Sequence, residues 1–246
     1  MIHLVAAEGL KLRTTRLLLG MIPAAVAISL AGVAGTVLVH GGGDRAVLES
    51  AKGVRQVLSA TGAGAILVLV VGIIISAGEY RYGTADDTFL TTPRRHQVLA
   101  AKLAVGSGLG LAVGVVTSLA SIGIAAVLYS TEGATFPLDD AEVWLTLAGT
   151  LVYTALFAML GVALGSLVRN QVLAVTGALA WFAVVEHALV NLAPDIGRWL
   201  PAAAGQAIIR TPLDGLLSPL AGTALLATYA VAIALSGIRV AATRDA

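Results

Sequence analysis

No cysteine occurs in this 246-residue chain, so disulfides, thiol nucleophiles and Cys-based metal sites are excluded. Charge is scarce as well: 12% of residues are charged, where a soluble domain carries roughly 25%. Nothing in the sequence matches a phosphate-cradling GxxxxGK[ST] loop; the Gly41-Gly42-Gly43 run lacks the lysine. No hydrophilic stretch is long enough to bury a soluble core of its own. A net charge of +1 carries no nucleic-acid signature, and nucleic acid is not an expected partner. Aromatics make up only 5%. The three tryptophans, Trp144, Trp181 and Trp199, suit interface anchors or core packing better than a ligand cage.

What the chain has instead is apolar length. Hydrophobic residues make up 58% and the mean hydropathy is +0.92. The few charges fall at the edges of long uncharged runs, and a spanning helix needs about 20 apolar residues. The runs predict six transmembrane helices over 17–39, 57–78, 98–130, 143–168, 171–192 and 215–238. They are continuous and rich in Ala, Leu, Val and Gly, unlike the alternating segments of about 10 residues that build a barrel. The expected fold is therefore an all-α integral membrane protein forming one domain, 1–246.

Lysine and arginine set the expected orientation. Lys11, Arg13, Arg16, Arg81, Arg94, Arg95, Lys102, Arg169, Arg239 and Arg244 fall on one side of such a bundle. Only Arg45, Lys52, Arg55, Arg198 and Arg210 fall on the other. Both termini are thus expected in the cytoplasm and the protein in the cell membrane. The first run is too long for a signal-peptide core of roughly 7–15 residues. Residues 2–16 read as an amphipathic helix at the inner surface, with Glu8, Lys11 and Thr15 at helical spacing. The loop 193–214 contains Pro194, Pro201 and Pro212 around two apolar pieces too short to span. It reads either as two re-entrant helices in the outer leaflet or as an ordinary amphipathic loop.

The segment between spans 2 and 3 is the most informative polar stretch. It runs Glu79-Tyr80-Arg81-Tyr82-Gly83-Thr84-Ala85-Asp86-Asp87, then Phe89 and Leu90, and closes on Pro93-Arg94-Arg95. Thr84 followed by Asp87 approximates a capping box, Asp86 and Asp87 suit a helix start, and Pro93 ends the element. A short helix over about 85–90 is expected, presenting Phe89 and Leu90 to a soluble partner; a solvated loop is the plainer alternative. Glu186 and His187 are the other polar residues in an apolar run. Seventeen residues past Arg169 is about 25 Å of helix, which places Glu186 near the outer interface. There it either snorkels or pairs with His187, Arg198 or Arg210, or else it lines a substrate path. His187-x-x-x-Asn191 is only a fragment of a metalloprotease motif. Small residues at four-residue spacing, Gly106, Gly110 and Gly114 and again Gly161 and Gly165, allow close helix packing within the chain or between subunits.

Several segments together resemble the membrane subunits of type 2 ABC exporters. They are Glu79…Gly83-Thr84 with Leu90, Pro93, Arg94-Arg95 and Ala101-Lys102-Leu103; Ala7-Glu8 through Lys11-Leu12-Arg13-Thr14-Thr15-Arg16; and Leu160 through Asn170. The resemblance implies that 2–16 is the connecting helix and that the segment after span 2 is the coupling helix. Glu79, Tyr80, Arg81, Tyr82, Gly83, Thr84, Asp86, Asp87, Phe89 and Leu90 would then dock on a cytoplasmic ATPase. It further implies two ATPase copies, which would bind the ATP and magnesium, and a second permease chain. This chain would have no catalytic residues and no cofactor of its own. Glu186 and His187 stand as substrate-path candidates, and the cargo would be lipidic or amphipathic. An intramembrane enzyme and a non-transporting scaffold or immunity protein are the alternatives.

Overall fold

The computed structural model describes residues 2–14, 16–41, 45–82 and 95–243. Among these residues there are helices and turns and no strand. In chain order the helices are α1 (Ile2–Thr14), α2 (Arg16–Gly41), α3 (Arg45–Glu49), α4 (Ala51–Ser59) and α5 (Ala65–Tyr82). There follow α6 (Arg95–Thr131), α7 (Ala141–Val168), α8 (Gln171–Ala180) and α9 (Glu186–Leu192). The short α10 (Pro194–Gly197) and α11 (Pro201–Ile208) lead to α12 (Pro219–Thr243). Six segments are long and apolar enough to cross a membrane: Leu18–Val39, Ala51–Arg81, His96–Thr131, Ala141–Val168, Gln171–Leu192 and Pro219–Val240. They are spans 1 to 6 below, and the chain is a multi-pass membrane protein.

Span 2 runs through α4, a 3-10 stretch at Ala60–Gly64 and α5. Spans 2 and 4 form the centre: 67% and 56% of their apolar windows are buried, against 17% for span 5. Glycine makes that pairing possible. A Cβ on Gly161 would collide with the Leu69 carbonyl oxygen, and one on Gly72 with the Ala158 carbonyl oxygen. The two backbones therefore touch, gaining dispersion contacts where lipid offers no hydrophobic drive. Gly110 meets the Thr154 carbonyl in the same way. Both small-residue stripes are thus filled by packing within the chain.

Two apolar clusters sit around this pair. One joins Leu69, Ile73, Phe157, Leu160, Ile208 and Leu226 from spans 2, 4 and 6 and α11. The other, at the end away from α1, joins Val37, Leu48, Leu58, Tyr129, Phe136 and Leu147. There the Tyr129 hydroxyl donates to the Leu48 carbonyl at 3.0 Å, and its ring meets Phe136 edge-on at 5.2 Å.

Local chemistry fixes the turns. The Asp140 side chain accepts from the Glu142 N–H and caps span 4. Arg169 ends that span in the left-handed region at φ 56°, where glycine is commoner. Asn170 then caps span 5, its side chain accepting from the Leu173 N–H at 3.0 Å. Span 5 is interrupted by a π-turn over Trp181–Val185, in which the Glu186 N–H donates to the Trp181 carbonyl.

Candidate functional site

The last turn of α5 holds Glu79, Tyr80, Arg81 and Tyr82. Gly83, Thr84, Asp86, Asp87, Phe89 and Leu90 lie outside the described residues, and so does the whole of the helix expected over 85–90. What the structure describes is the end of span 2 and the start of span 3 that flank it in sequence. Lys102 Nζ lies 2.7 Å from Glu8 Oε2 and 2.8 Å from Glu79 Oε1. Lys11 Nζ lies 2.7 Å from Glu8 Oε1 and 2.6 Å from Glu79 Oε1. Two carboxylates and two ammoniums alternate around a ring, and the ring is neutral. Its members come from α1, the end of span 2 and the start of span 3.

Burial divides the ring. The side chains of Glu8, Glu79 and Lys102 are 7%, 12% and 6% exposed, while that of Lys11 is 48% exposed. Desolvation of a charge is costly, and only close opposite charges with good hydrogen bonds repay it. Lys102 is thus held by two carboxylates at once. Burial works against the charge on Lys11, yet hydrogen bonds to Glu79 and Glu8 outweigh it and hold its ammonium above the ordinary range. Next to the ring, the Arg169 guanidinium lies 5.2 Å from the centre of the Tyr80 ring, a cation–π distance. It ties the turn between spans 4 and 5 to the end of span 2.

Sequence reasoning singled out Glu79 and Tyr80 and missed their partners as partners. Glu8 and Lys11 stood at helical spacing, and Lys102 was a lone cation at the head of an apolar run. A charge so placed needs an opposite charge nearby, and that was the available signal. Which charge answers it depends on tertiary structure.

Glu186 is 1% exposed. Its Oε1 accepts from the Ala202 N–H and, at 3.3 Å, from the Ala203 N–H. These are donors of the first turn of α11, whose own N-cap residue, Leu200, has no side-chain hydrogen bond to offer. Span 5 thus supplies the cap that α11 lacks, with a carboxylate at the positive end of the helix. Among the described residues, Oε2 has no hydrogen-bond partner. Among the described residues, none of the partners expected from the sequence forms an ion pair with Glu186. Arg210 lies 3.0 Å from both carboxylate oxygens of Glu142, and Arg198 sits 5.7 Å from the Trp199 ring centre. His187 is exposed, and its carbonyl accepts from Asn191 at 2.7 Å. Among the described residues, no three His, Asp or Glu side chains converge as metal ligands do.

Beside Glu186, an apolar groove of about 470 Å³ runs between spans 4, 5 and 6. Leu164 and Leu173 line one end and Leu200 and Pro201 the other, with Trp181 and Phe182 between them. The groove offers shape and hydrophobicity but almost no polar chemistry. No protein-family model matches the chain, and no curated protein matches it.

Proposed function

We propose that this chain is the membrane-spanning subunit of an ATP-driven exporter of the type 2 ABC class. In this reading a separate cytoplasmic ATPase, in two copies, binds ATP and magnesium, and a second permease chain completes the pathway. The observation that carries the reading is the ionic ring of Glu8, Lys11, Glu79 and Lys102. It stands at both feet of the 83–94 segment, since Glu79 precedes that segment and Lys102 follows it. A docking element must pass displacement to the spans rather than absorb it. Buried, paired charges at its base make span 2, span 3 and α1 respond as one body, as rigid-body gating requires.

The position of α11 supports re-entrant helices between spans 5 and 6. A Cβ on Gly205 would collide with the Tyr153 ring, and one on Gly149 with the Ile208 carbonyl oxygen. Span 4 begins at Ala141, so Gly149 and Tyr153 lie about 12 and 18 Å along it at 1.5 Å per residue. With a hydrocarbon core of about 30 Å, α11 packs at membrane depth with its backbone covered by spans 4 and 6. The apolar groove beside it suits a lipidic or amphipathic cargo. In this orientation α1 is cytoplasmic and interfacial, α11 lies in the outer leaflet of the cell membrane, and residues 85–90 form the coupling helix.

The test is affinity purification of the full chain from mild detergent, with mass spectrometry of what accompanies it. An ATPase subunit should co-purify, and its hydrolysis should respond to the permease. Phe89→Ala combined with Asp87→Lys should remove the partner or uncouple its ATPase while the chain still inserts, because aromatic anchors dominate small interfaces. Unchanged coupling in that double variant would return 83–94 to a solvated loop. A chain that purifies alone under crosslinking would sink the exporter reading.

A further inference from the structure

At the end of the bundle away from α1, a cavity of about 440 Å³ opens between α4 and the connection from α11 to span 6. Its wall carries Lys52 and Arg55 from α4 together with Arg210, Thr211 and Asp214 from the connection. Arg210 is already neutralised by Glu142, with Nη1 3.0 Å from both oxygens. Lys52 and Arg55 are different: among the described residues neither forms an ion pair. Arg55 Nε donates to the Ala51 carbonyl at 3.3 Å, and the residue lines the cavity. Asp214 is the one acid on the wall, so two unpaired cations face one carboxylate and the excess is positive.

The remaining wall is apolar. Pro212, Leu213, Leu216 and Leu217 line it, and Leu213 is 53% exposed. Cations on one side and leucines on the other describe a site for an amphiphile rather than a small ion. The level of the cavity agrees. Spans 2 and 6 begin here, at Ala51 and Pro219. The exposed side chains of Trp144 and Trp199, at the head of span 4 and just before α11, mark the same end. Tryptophan concentrates at the headgroup level of a bilayer.

We infer that this cavity binds the phosphate of an anionic phospholipid, with Lys52 and Arg55 as the ligating cations and the leucine lip against the first part of the acyl chains. Guanidinium and ammonium groups bind phosphate through charge-assisted hydrogen bonds. A free phosphate would leave the lip unused. The inference rests only on the chain being a membrane protein and stands whether or not it works with an ATPase.

The experiment is native mass spectrometry of the full chain released from vesicles of equal parts phosphatidylcholine, phosphatidylethanolamine and phosphatidylglycerol. Phosphatidylglycerol should be enriched on the wild type. Lys52→Gln with Arg55→Gln should cut that enrichment roughly thirtyfold, given about 1 kcal/mol for each of the two basic residues near an anionic surface. Lys52→Arg with Arg55→Lys should keep the enrichment, and so should Arg198→Gln, which removes a cation at the same end outside the cavity. A parallel thermal-shift series with inorganic phosphate should leave the melting temperature unchanged. Equal enrichment in the Gln double variant, or preference for phosphatidylethanolamine, would overturn the assignment. Stabilisation by inorganic phosphate that needs Lys52 and Arg55 would overturn the lipid and leave a soluble phosphate as the ligand.

Discussion

Lys102→Met is the sharpest perturbation the structure offers. The Lys102 ammonium sits 2.7 and 2.8 Å from the carboxylates of Glu8 and Glu79, and its side chain is only 6% exposed. Methionine keeps the volume and removes both ion pairs. Among the described residues, two nearly buried carboxylates are then left with Lys11, which is half in solvent. Removing one partner of a buried pair costs about 3–5 kcal/mol, mostly because the other charge stays buried without compensation. For a chain of this size that corresponds to a fall of roughly 6–20 °C in melting temperature. Lys11→Met touches the same two carboxylates from the exposed side and should cost about 1 kcal/mol or less. Adding Glu8→Gln to Lys102→Met restores neutrality and should recover most of the loss. Thermal unfolding of the purified chain in detergent, followed by tryptophan fluorescence, reads all three variants. A Lys11 variant as damaged as the Lys102 variant would refute the argument that burial sets the cost. So would a double variant no better than the single.

The same ring predicts a pH response. Lys11 is held above its ordinary 10.5, so its contribution to stability is complete below that pH and is lost as pH rises through the higher folded-state value. The wild type should lose an increment in that alkaline window that Lys11→Met lacks; parallel profiles would exclude it. At the far end of the bundle, Glu186→Ala should cost about 1–2 kcal/mol as a lost helix cap, while Glu186→Gln, which keeps an acceptor oxygen, should cost less than about 1 kcal/mol. Two variants as stable as wild type would remove the capping role. For orientation, cysteines introduced at Ser50 and Thr135 should react with an impermeant reagent on intact cells and one at Thr92 should not. The reverse pattern would invert the topology.

The six spans were legible because hydropathy is local: a run such as 143–168 declares itself without knowledge of its neighbours. The close packing of Gly106, Gly110 and Gly114 was legible as a stripe, but its partner on span 4 was not. The ring at the base of span 2 was hidden for the same reason. Glu8 and Lys102 are 94 residues apart, and no periodicity links them. Glu186 was harder still. From the sequence it either snorkels, pairs with His187, Arg198 or Arg210, or lines a substrate path, whereas the structure gives it backbone N–H groups 16 and 17 residues on. Leu200 preceding Pro201 at the start of α11 is a helix start with no side chain to cap it, and that gap was the only hint.

That borrowed cap ties two elements together in space. A helix capped by its own residue carries its cap wherever it goes, but α11 begins correctly only while span 5 holds Glu186 in place. Displacing span 5 alone would leave the same two backbone donors without their cap, at about 1–2 kcal/mol. The cheaper course is for α11 to follow. Span 5 therefore acts on the far end of the bundle as a tether whose length is one carboxylate.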